Sequence, residues 1–268
     1  MRLLPIPNGA AFMDVEDAVR ATLETWGFRV EKIPETDVPT PDFIVCDDSA
    51  AYLVEVKTRG DDPALTRARN QVLRRGEVFT ESLALVRHNR ISSIIGHANR
   101  QLTKFMNDDQ VFRVVWVVVT GRATDAKCLQ IQASLYGSTT IIDFESVSNG
   151  FECYYFRESD FFRDRDVLDG AVVSNLDSGK LCLNTLSPRY ITFKHAKLAA
   201  QFAAGLVDPV AQEAAGTAFI VDSDIDRKNQ AAVIEYLQRK YKRVRLMNID
   251  LGYHSAAIAV PTNGNKGT

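Results

Sequence analysis

The sequence has few cysteines among its 268 residues, and they do not occur in pairs. The four of them, at positions 46, 128, 153 and 182, form no Cys-x-x-Cys spacing. This scatter argues against a disulfide framework or a zinc site and favours reduced thiols. The four histidines also lack the spacing of metal ligands. We therefore expect a cytoplasmic protein with free thiols.

Long hydrophobic segments are absent as well. The most apolar stretch, residues 111–119, is nine residues long and contains Arg113. A membrane-spanning helix needs about 20 apolar residues, so this stretch is predicted to be a buried strand. No signal-peptide pattern is visible, because Pro5 and Pro7 interrupt the first apolar residues. These features predict a soluble protein that does not contact a membrane.

Neither sign of charge is in large excess, since the net charge of the chain is −2. This balance excludes a uniformly basic nucleic-acid-binding protein, but it allows a local basic face. Residues 57–104 contain ten Lys and Arg against four Asp and Glu. Such a local excess suits contact with a polyanion, and a solvated charged helix is the alternative.

Several familiar catalytic and metal-binding motifs are missing. The chain contains neither G-x-S-x-G nor a G-x-x-x-x-G-K-[ST] phosphate loop. The acidic run at Asp222, Asp224 and Asp226 departs from the EF-hand pattern, because Arg227 occupies the required glycine position. We interpret this run as the N-cap of the helix that follows it.

The residues that organise the chain lie in positions 41–57, where two short strands flank a polar turn. Because side chains alternate along a strand, Glu55 and Lys57 point to one face and Val56 points to the other. A tight hairpin would bring Asp42 beside Glu55. Two carboxylates and an ammonium in an apolar sheet are costly unless they bind something. A divalent cation with oxygen ligands is the natural candidate.

Pro41-Asp42, twelve intervening residues and then Glu55-Val56-Lys57 resemble the motif of the PD-(D/E)xK nuclease superfamily. An acidic residue two places before a lysine occurs three times in the chain. Only this instance lies in a strand-like run and follows the single Pro-Asp pair. The resemblance covers roughly residues 10–120. It implies an α/β fold with a restriction-endonuclease-like core, in which a central mixed β-sheet is flanked by helices, followed by a C-terminal α+β region.

The resemblance implies a metal-dependent nuclease, and we expect a DNA endonuclease, with RNA as the other possible substrate. It implies that Asp42, Glu55 and Lys57 are catalytic. It further implies that Glu16, Asp42, Glu55 and the carbonyl of Val56 hold Mg²⁺, for which Mn²⁺ would substitute. From charge alone, we assign nucleic-acid contacts to Arg59, Arg67, Arg69, Arg74, Arg75, Arg100 and Lys104.

Each of these assignments has a plainer alternative. Asp42, Glu55 and Lys57 can form an exposed cluster on an amphipathic strand. Glu16 can be a solvated helix residue that pairs with Arg20 one turn later. The chain can also be a non-cleaving module that binds nucleic acid or docks to a protein, as a subunit of a larger defence or repair complex.

The segment from Gln101 to Phe105 is similar to the Gln-x-x-x-Tyr element of some nuclease branches, with phenylalanine in place of tyrosine. The tyrosine hydroxyl is therefore missing, which separates the chain from those branches. We interpret Phe105 as a core residue and Gln101 as a polar helix residue.

We expect a domain boundary near residue 122. Residues 1–122 would form the nuclease-like domain and residues 123–262 a C-terminal α/β domain, which can mediate a homodimer or bind a partner. Residues 263–268 would be a disordered tail.

In the first domain we predict a helix ending before Gly27, strands at 28–33, 42–46, 51–57 and 111–119, and helices from 64 and 92. In the second we predict hairpins pairing 129–135 with 139–144 and 171–174 with 180–186, and a β-α-β end over 218–248.

Overall fold

The computed structural model describes residues 14–105, 110–146, 150–175, 177–249 and 252–259. The predicted tail at 263–268 lies outside these ranges. The first half contains α1 (Val15–Thr25), β1 (Arg29–Lys32), β2 (Phe43–Cys46), β3 (Ala51–Arg59), α2 (Pro63–Arg74), β4 (Phe79–Ala84), α3 (Asn89–Phe105) and β5 (Val111–Val119). Next come α4 (Thr124–Tyr136), β6 (Thr139–Asp143), β7 (Gly150–Tyr154), α5 (Asp160–Arg163), β8 (Gly170–Ser174) and β9 (Gly179–Leu183). The last elements are α6 (Tyr190–Lys194), α7 (Lys197–Gln201), β10 (Leu206–Val207), α8 (Pro209–Ala214), β11 (Ala218–Ile220), α9 (Gln230–Tyr241), β12 (Leu246–Ile249) and β13 (Tyr253–Ile258).

A seven-stranded mixed sheet, in the order β1-β2-β3-β5-β8-β9-β10, carries most of the core. Strands β3, β5 and β8 are parallel, whereas β1, β2 and β3 are joined by antiparallel pairing. A second sheet has the order β11-β7-β6-β12, and β4 pairs with β13 in a two-stranded ribbon. The large sheet thus contains strands from both sides of residue 122. The predicted domain boundary at that residue stays a prediction.

Strand β5 lies near the middle of the large sheet, and all nine of its residues are buried. A strand covered on both faces is expected to be apolar throughout, which explains its run of valines. On one face Val115 belongs to the same core as Leu53 of β3 and Ile95 of α3. On the other face Val114 packs in a separate core with Leu23 of α1. Helices therefore cover both faces of the strands that carry the predicted site.

The prediction of a mixed α/β protein with a central sheet flanked by helices is confirmed. The predicted elements of the first 120 residues are present within a few residues of their expected bounds. Gly27 has a φ of +76°, the left-handed conformation expected after the end of α1. The order α-β-β-β-α-β is present, with α2 and β4 inserted before α3. Whether this core belongs to the restriction-endonuclease-like fold stays a prediction.

The predicted strand at 129–135 is wrong, because these residues lie in α4. Most of α4 is buried, so its apolar residues do not form the narrow stripe by which an amphipathic helix is recognised. Strand β6 instead pairs with β7. The predicted hairpin of β8 and β9 is confirmed, with Val172 opposite Leu181.

Two helix predictions in the C-terminal half also need correction. The cap of α9 is Asn229, whose side chain accepts a hydrogen bond from the amide of Ala232 at 3.1 Å. The acidic run at 222–226 therefore lies before the cap, where Asp222 pairs with Lys240. The sequence pattern also predicts one helix over residues 194–204, but only α7 lies within that range, and α6 ends at its first residue. No helix within the described ranges is long and apolar enough to cross a membrane.

The close approach of β8 to α6 gives the first testable prediction. A Cβ atom at Gly170 would lie 2.6 Å from Cε1 of Phe193 and 3.0 Å from the carbonyl oxygen of Cys182. The Phe193 ring is fully buried, so it has little room to move. Gly170→Ala is expected to lower the free energy of unfolding by about 1–3 kcal/mol, measured by urea denaturation. Gly150→Ala is the control, because its Cβ would meet only Thr140, at 3.6 Å. Equal stability of the two variants would contradict this packing.

Candidate active site

The register of β2 and β3 brings the two predicted acids together. Phe43 pairs with Val54, so the preceding residue, Asp42, comes next to Glu55. The amide of Val56 donates a hydrogen bond to Oδ2 of Asp42 at 2.7 Å. The two carboxyl groups are close enough that each affects the pKa of the other. The predicted convergence of these two acids is therefore present.

Glu55 lies in the interior rather than on an exposed face. Its side chain is fully buried, and Oε1 accepts a hydrogen bond from Nζ of Lys57. Its second oxygen, Oε2, is also buried, and no donor reaches it from the described residues when both carboxyls are ionised. The alternative of an exposed surface cluster is wrong for Glu55. Lys57 is partly exposed, with 26% of its side chain accessible.

Burial and mutual repulsion disfavour two charges at this site. Burial raises the pKa of Asp42, although the hydrogen bond from the Val56 amide opposes this shift. Burial also raises the pKa of Glu55 to about 7, against the lowering effect of Lys57. The charge of Asp42 further raises the pKa of Glu55, so the pair tends to keep a proton near neutral pH.

Glu16 lies on α1, and its carboxylate raises the pKa of Asp42 through its charge. Its Oε2 atom accepts a hydrogen bond from Nζ of Lys32 at 2.8 Å. The alternative pairing with Arg20 is wrong, because Arg20 pairs with Glu24 at 2.8 Å. In the ranges that the structure describes, no three His, Cys, Asp or Glu residues are grouped as ligands of one metal ion. The participation of Glu16 in metal binding stays a prediction.

Gln101 joins the site, which the sequence interpretation missed. Its Oε1 atom accepts a hydrogen bond from Nζ of Lys57 at 2.9 Å, and its Nε2 donates to the carbonyl of Thr40 at 2.9 Å. The neighbouring Leu102 is fully buried and anchors this part of α3 in the core. Phe105 packs against that core while partly exposed. The similarity to Gln-x-x-x-Tyr was the signal that could have identified Gln101.

A shallow cavity leads to this site from the loop between β1 and β2. Its volume is about 190 Å³, and its lining includes Lys32, Thr40, Asp42 and Gln101. Asp42 is therefore accessible from solvent, whereas Glu55 lies behind it. The amide of Val56 contacts Asp42. The apolar side chain of Val56 is buried on the opposite face of the sheet.

Three of the seven predicted nucleic-acid contacts lie on α2, an unusual helix. None of its residues is buried, and it contains no acidic residue. Arg67 and Arg74 are exposed, and so are Arg100 and Lys104 on α3. The Nε atom of Arg75 lies 3.9 Å from Oε1 of Glu77, which is a weak surface contact. The exposed arginines leave α2 with a basic surface.

Two of the predicted contact residues are less free than the sequence suggested. Arg69 is only 12% exposed, and its Nη1 lies 3.7 Å from Oδ2 of Asp61. Asp61 also accepts a hydrogen bond from Nζ of Lys127 at 2.6 Å, so it links α2 to α4. Arg59 is half-buried, and burial lowers the pKa of its guanidinium. These contacts favour a structural contribution from Arg69.

Comparison with known proteins adds no relative: no protein-family model matches the sequence, and neither the curated proteins nor the solved structures yield a significant match. The resemblance to PD-(D/E)xK nucleases therefore depends on the residues of this site.

The proton held by the carboxyl pair predicts how stability depends on pH. From the ordinary pKa of 4.5 up to about 7, the folded protein keeps a proton that the unfolded chain releases. In EDTA, the free energy of unfolding should therefore fall as the pH rises through this window. The expected fall is at most about 3 kcal/mol, measured by urea denaturation at several pH values.

Glu55→Gln should remove this fall, because an amide cannot titrate. The exposed Glu77 provides the control, since Glu77→Gln should leave the fall unchanged. If Glu55→Gln shows the same decline as the parent protein, the carboxyl pair does not hold the proton.

Proposed function

We propose that the protein is a metal-dependent nuclease that hydrolyses phosphodiester bonds, most simply in DNA. The observation that carries this proposal is the convergence of Asp42, Glu55 and Lys57 in one partly buried site. Two carboxylates are brought to one point by strand pairing, and a lysine contacts one of them. This arrangement supports phosphodiester hydrolysis, because such chemistry needs a cation and a positive side chain beside the scissile phosphate.

The residues fit a hard divalent cation. Oε2 of Glu55 is a buried oxygen without a donor, and both carboxyls have raised pKa values. A bound cation would satisfy that oxygen and favour the ionised form of both acids. Mg²⁺, or Mn²⁺ in its place, would be held by Asp42, Glu55 and the carbonyl of Val56, with Glu16 in support once it releases Lys32.

The bound ion would act as a Lewis acid towards a phosphate oxygen and would lower the pKa of a coordinated water. Lys57 would stabilise the negative charge that develops on the phosphate, with its ammonium fixed between Glu55 and Gln101. Gln101 would act as a positioning residue, because it holds the ammonium of Lys57 and the backbone of Thr40 together. Asp42, at the cavity, would face the substrate side.

The basic surface of α2 suits the backbone of a nucleic acid. Arg67, Arg74, Arg100 and Lys104 would neutralise phosphates and would not read the bases. Helix α2 begins four residues after Arg59, the last residue of β3, so it lies close in sequence to Lys57. Such contacts do not distinguish DNA from RNA.

A non-cleaving binding module is the second candidate. The pairing of Glu16 with Lys32, together with the lack of a third acid among the described residues grouped with Asp42 and Glu55, favours it. This module would keep the basic surface of α2 and would bind nucleic acid without a metal. Metal dependence therefore separates the two candidates.

The test is cleavage by the purified protein of plasmid DNA, single-stranded DNA and RNA in Mg²⁺, Mn²⁺, Ca²⁺ or EDTA. We expect cleavage in Mg²⁺ or Mn²⁺ and none in EDTA. Asp42→Ala and Lys57→Ala should each reduce the rate by at least about 100-fold, because each removes charge from the site. The exposed residues Asp48 and Lys228 provide matched controls, and Asp48→Ala and Lys228→Ala should retain activity. Metal-independent binding with no cleavage of any substrate would favour the binding module.

Gln101 allows a separate prediction about positioning. Gln101→Ala should lower kcat about tenfold, because Lys57 loses one of the two groups that fix its ammonium. DNA affinity in Ca²⁺ should stay unchanged, since Gln101 would not bind the substrate. Gln101→Glu should recover part of the rate, because a carboxylate still accepts from Lys57. Thr103→Ala, on the exposed side of the same helix, is the control, and an equal loss in that variant would argue for a general effect on α3.

A further inference from the structure

A second and larger cavity lies where the edge of the large sheet approaches the smaller sheet. Its volume is about 400 Å³, within the range of small-molecule sites. Helix α4 and strands β6, β7, β9, β10 and β12 contribute to its walls. None of the residues placed in the candidate active site lines it, so the two sites are separate.

The cavity contains two opposite charges that do not pair with each other. Glu152 enters from β7, where it alternates with the buried Phe151 and Cys153. Lys180 enters from β9, at the exposed end of that strand. No ion pair involves either residue among the described parts of the chain. Their charges are nevertheless close enough for Lys180 to lower the pKa of Glu152.

Glu152 lines the cavity, and it is exposed although protein packs around its carboxylate. Its side chain is accessible to water, yet burial raises its pKa, with a hydrogen bond from Ser138 as the main opposing effect. Both observations follow if protein surrounds the carboxylate on most sides while its remaining surface faces the cavity. A partly desolvated carboxylate of this kind gains from a cationic partner.

The rest of the lining combines apolar and polar groups. Leu129 is 45% exposed although it lies on the otherwise largely buried α4, and Leu85, Val86, Val207 and Ile249 add further apolar surface. Tyr154 donates a hydrogen bond to Gln212 at 2.6 Å, so these two polar groups already satisfy each other. The cavity therefore offers a ligand an apolar wall and two charged groups that have no ion-pair partner within the described ranges.

We propose that this cavity binds a small amphipathic zwitterion of the α-amino-acid class. Its ammonium would contact Glu152, its carboxylate would contact Lys180, and its apolar side chain would pack against Leu129 and Val207. A molecule with both charges satisfies both groups at once, whereas an ion of one sign leaves one of them without a partner. Neither the carboxyl pair at Asp42 and Glu55 nor the nuclease proposal is required for this binding.

The experiment titrates leucine, methionine, phenylalanine and tryptophan into the full-length protein in EDTA and detects binding by ligand-observed NMR and calorimetry. We expect saturable binding of at least one of the four. Two analogues of the leucine probe remove one charge each: isocaproate lacks the ammonium, and isoamylamine lacks the carboxylate. For leucine and its analogues, both single-charge compounds should bind at least about tenfold more weakly.

Variants then assign binding to this cavity. Glu152→Gln and Lys180→Gln should each weaken binding of the best amino acid at least about tenfold, whereas Lys180→Arg should retain most of it. Glu235→Gln, on the exposed side of α9, is the matched control and should bind normally. Thermal melting of each variant reports folding independently of binding. The proposal is overturned if none of the four amino acids binds saturably, or if binding persists unchanged in both charge-removing variants.

Discussion

The candidate site depends on one electrostatic constraint: two carboxyl groups lie side by side, and one of them, that of Glu55, is fully buried. The pairing of β2 with β3 imposes this proximity, because the register that places Phe43 opposite Val54 also brings Asp42 to Glu55. The chain itself provides one hydrogen bond from the Val56 amide and one from Lys57. These donors leave Oε2 of Glu55 buried and without a donor. In the metal-free protein a proton relieves the remaining repulsion, and a divalent cation would relieve it better.

Helix α3 completes the site through core packing, which positions Gln101 beside Lys57. Its buried residues lie one or two turns apart, and they fix the helix on the face of the sheet that carries Glu55 and Lys57. Gln101 is thereby held where one amide group contacts two separate segments, Lys57 at the end of β3 and Thr40 before β2. Such a bridge makes the position of the Lys57 ammonium depend on the packing of a helix rather than on its own flexible side chain.

The alternation of side chains along β3 was enough to predict which residues share a face. Side chains alternate every two residues along a strand, and a polar turn marks where the first strand ends. The hairpin and the proximity of Asp42 to Glu55 could therefore be predicted as well. Gln101 could not be placed in the same way. It is 44 residues from Lys57, and its contact depends on how α3 docks on the sheet. Likewise, Glu16 pairs with Lys32 rather than with Arg20, because β1 lies beside α1.

Helix α4 shows the corresponding limit for secondary structure. Periodicity identifies an amphipathic helix because one side is polar, but α4 buries residues on most of its circumference, including Lys127 and Gln130. Each of these two residues donates a hydrogen bond to a distant segment: Lys127 to the carboxylate of Asp61, and Gln130 to the carbonyl of Ala84. A sequence pattern cannot show that a buried lysine has such a partner. The polar residues of α4 therefore do not mark a side of the helix that faces water.

The large sheet continues into the C-terminal half, so the position of the candidate site also depends on strands from that half. Glu55 and Lys57 pair with Val115 and Val117 of β5, and the same two valines pair on their other side with Ala171 and Val173 of β8. A displacement of β8 would therefore be transmitted across one strand to the backbone that carries Glu55 and Lys57. Since β8 is itself held by β9, the position of the carboxyl pair depends on strands far from it in the sequence. The residues after 122 thus contribute to the candidate site through the sheet, without supplying any of its predicted side chains.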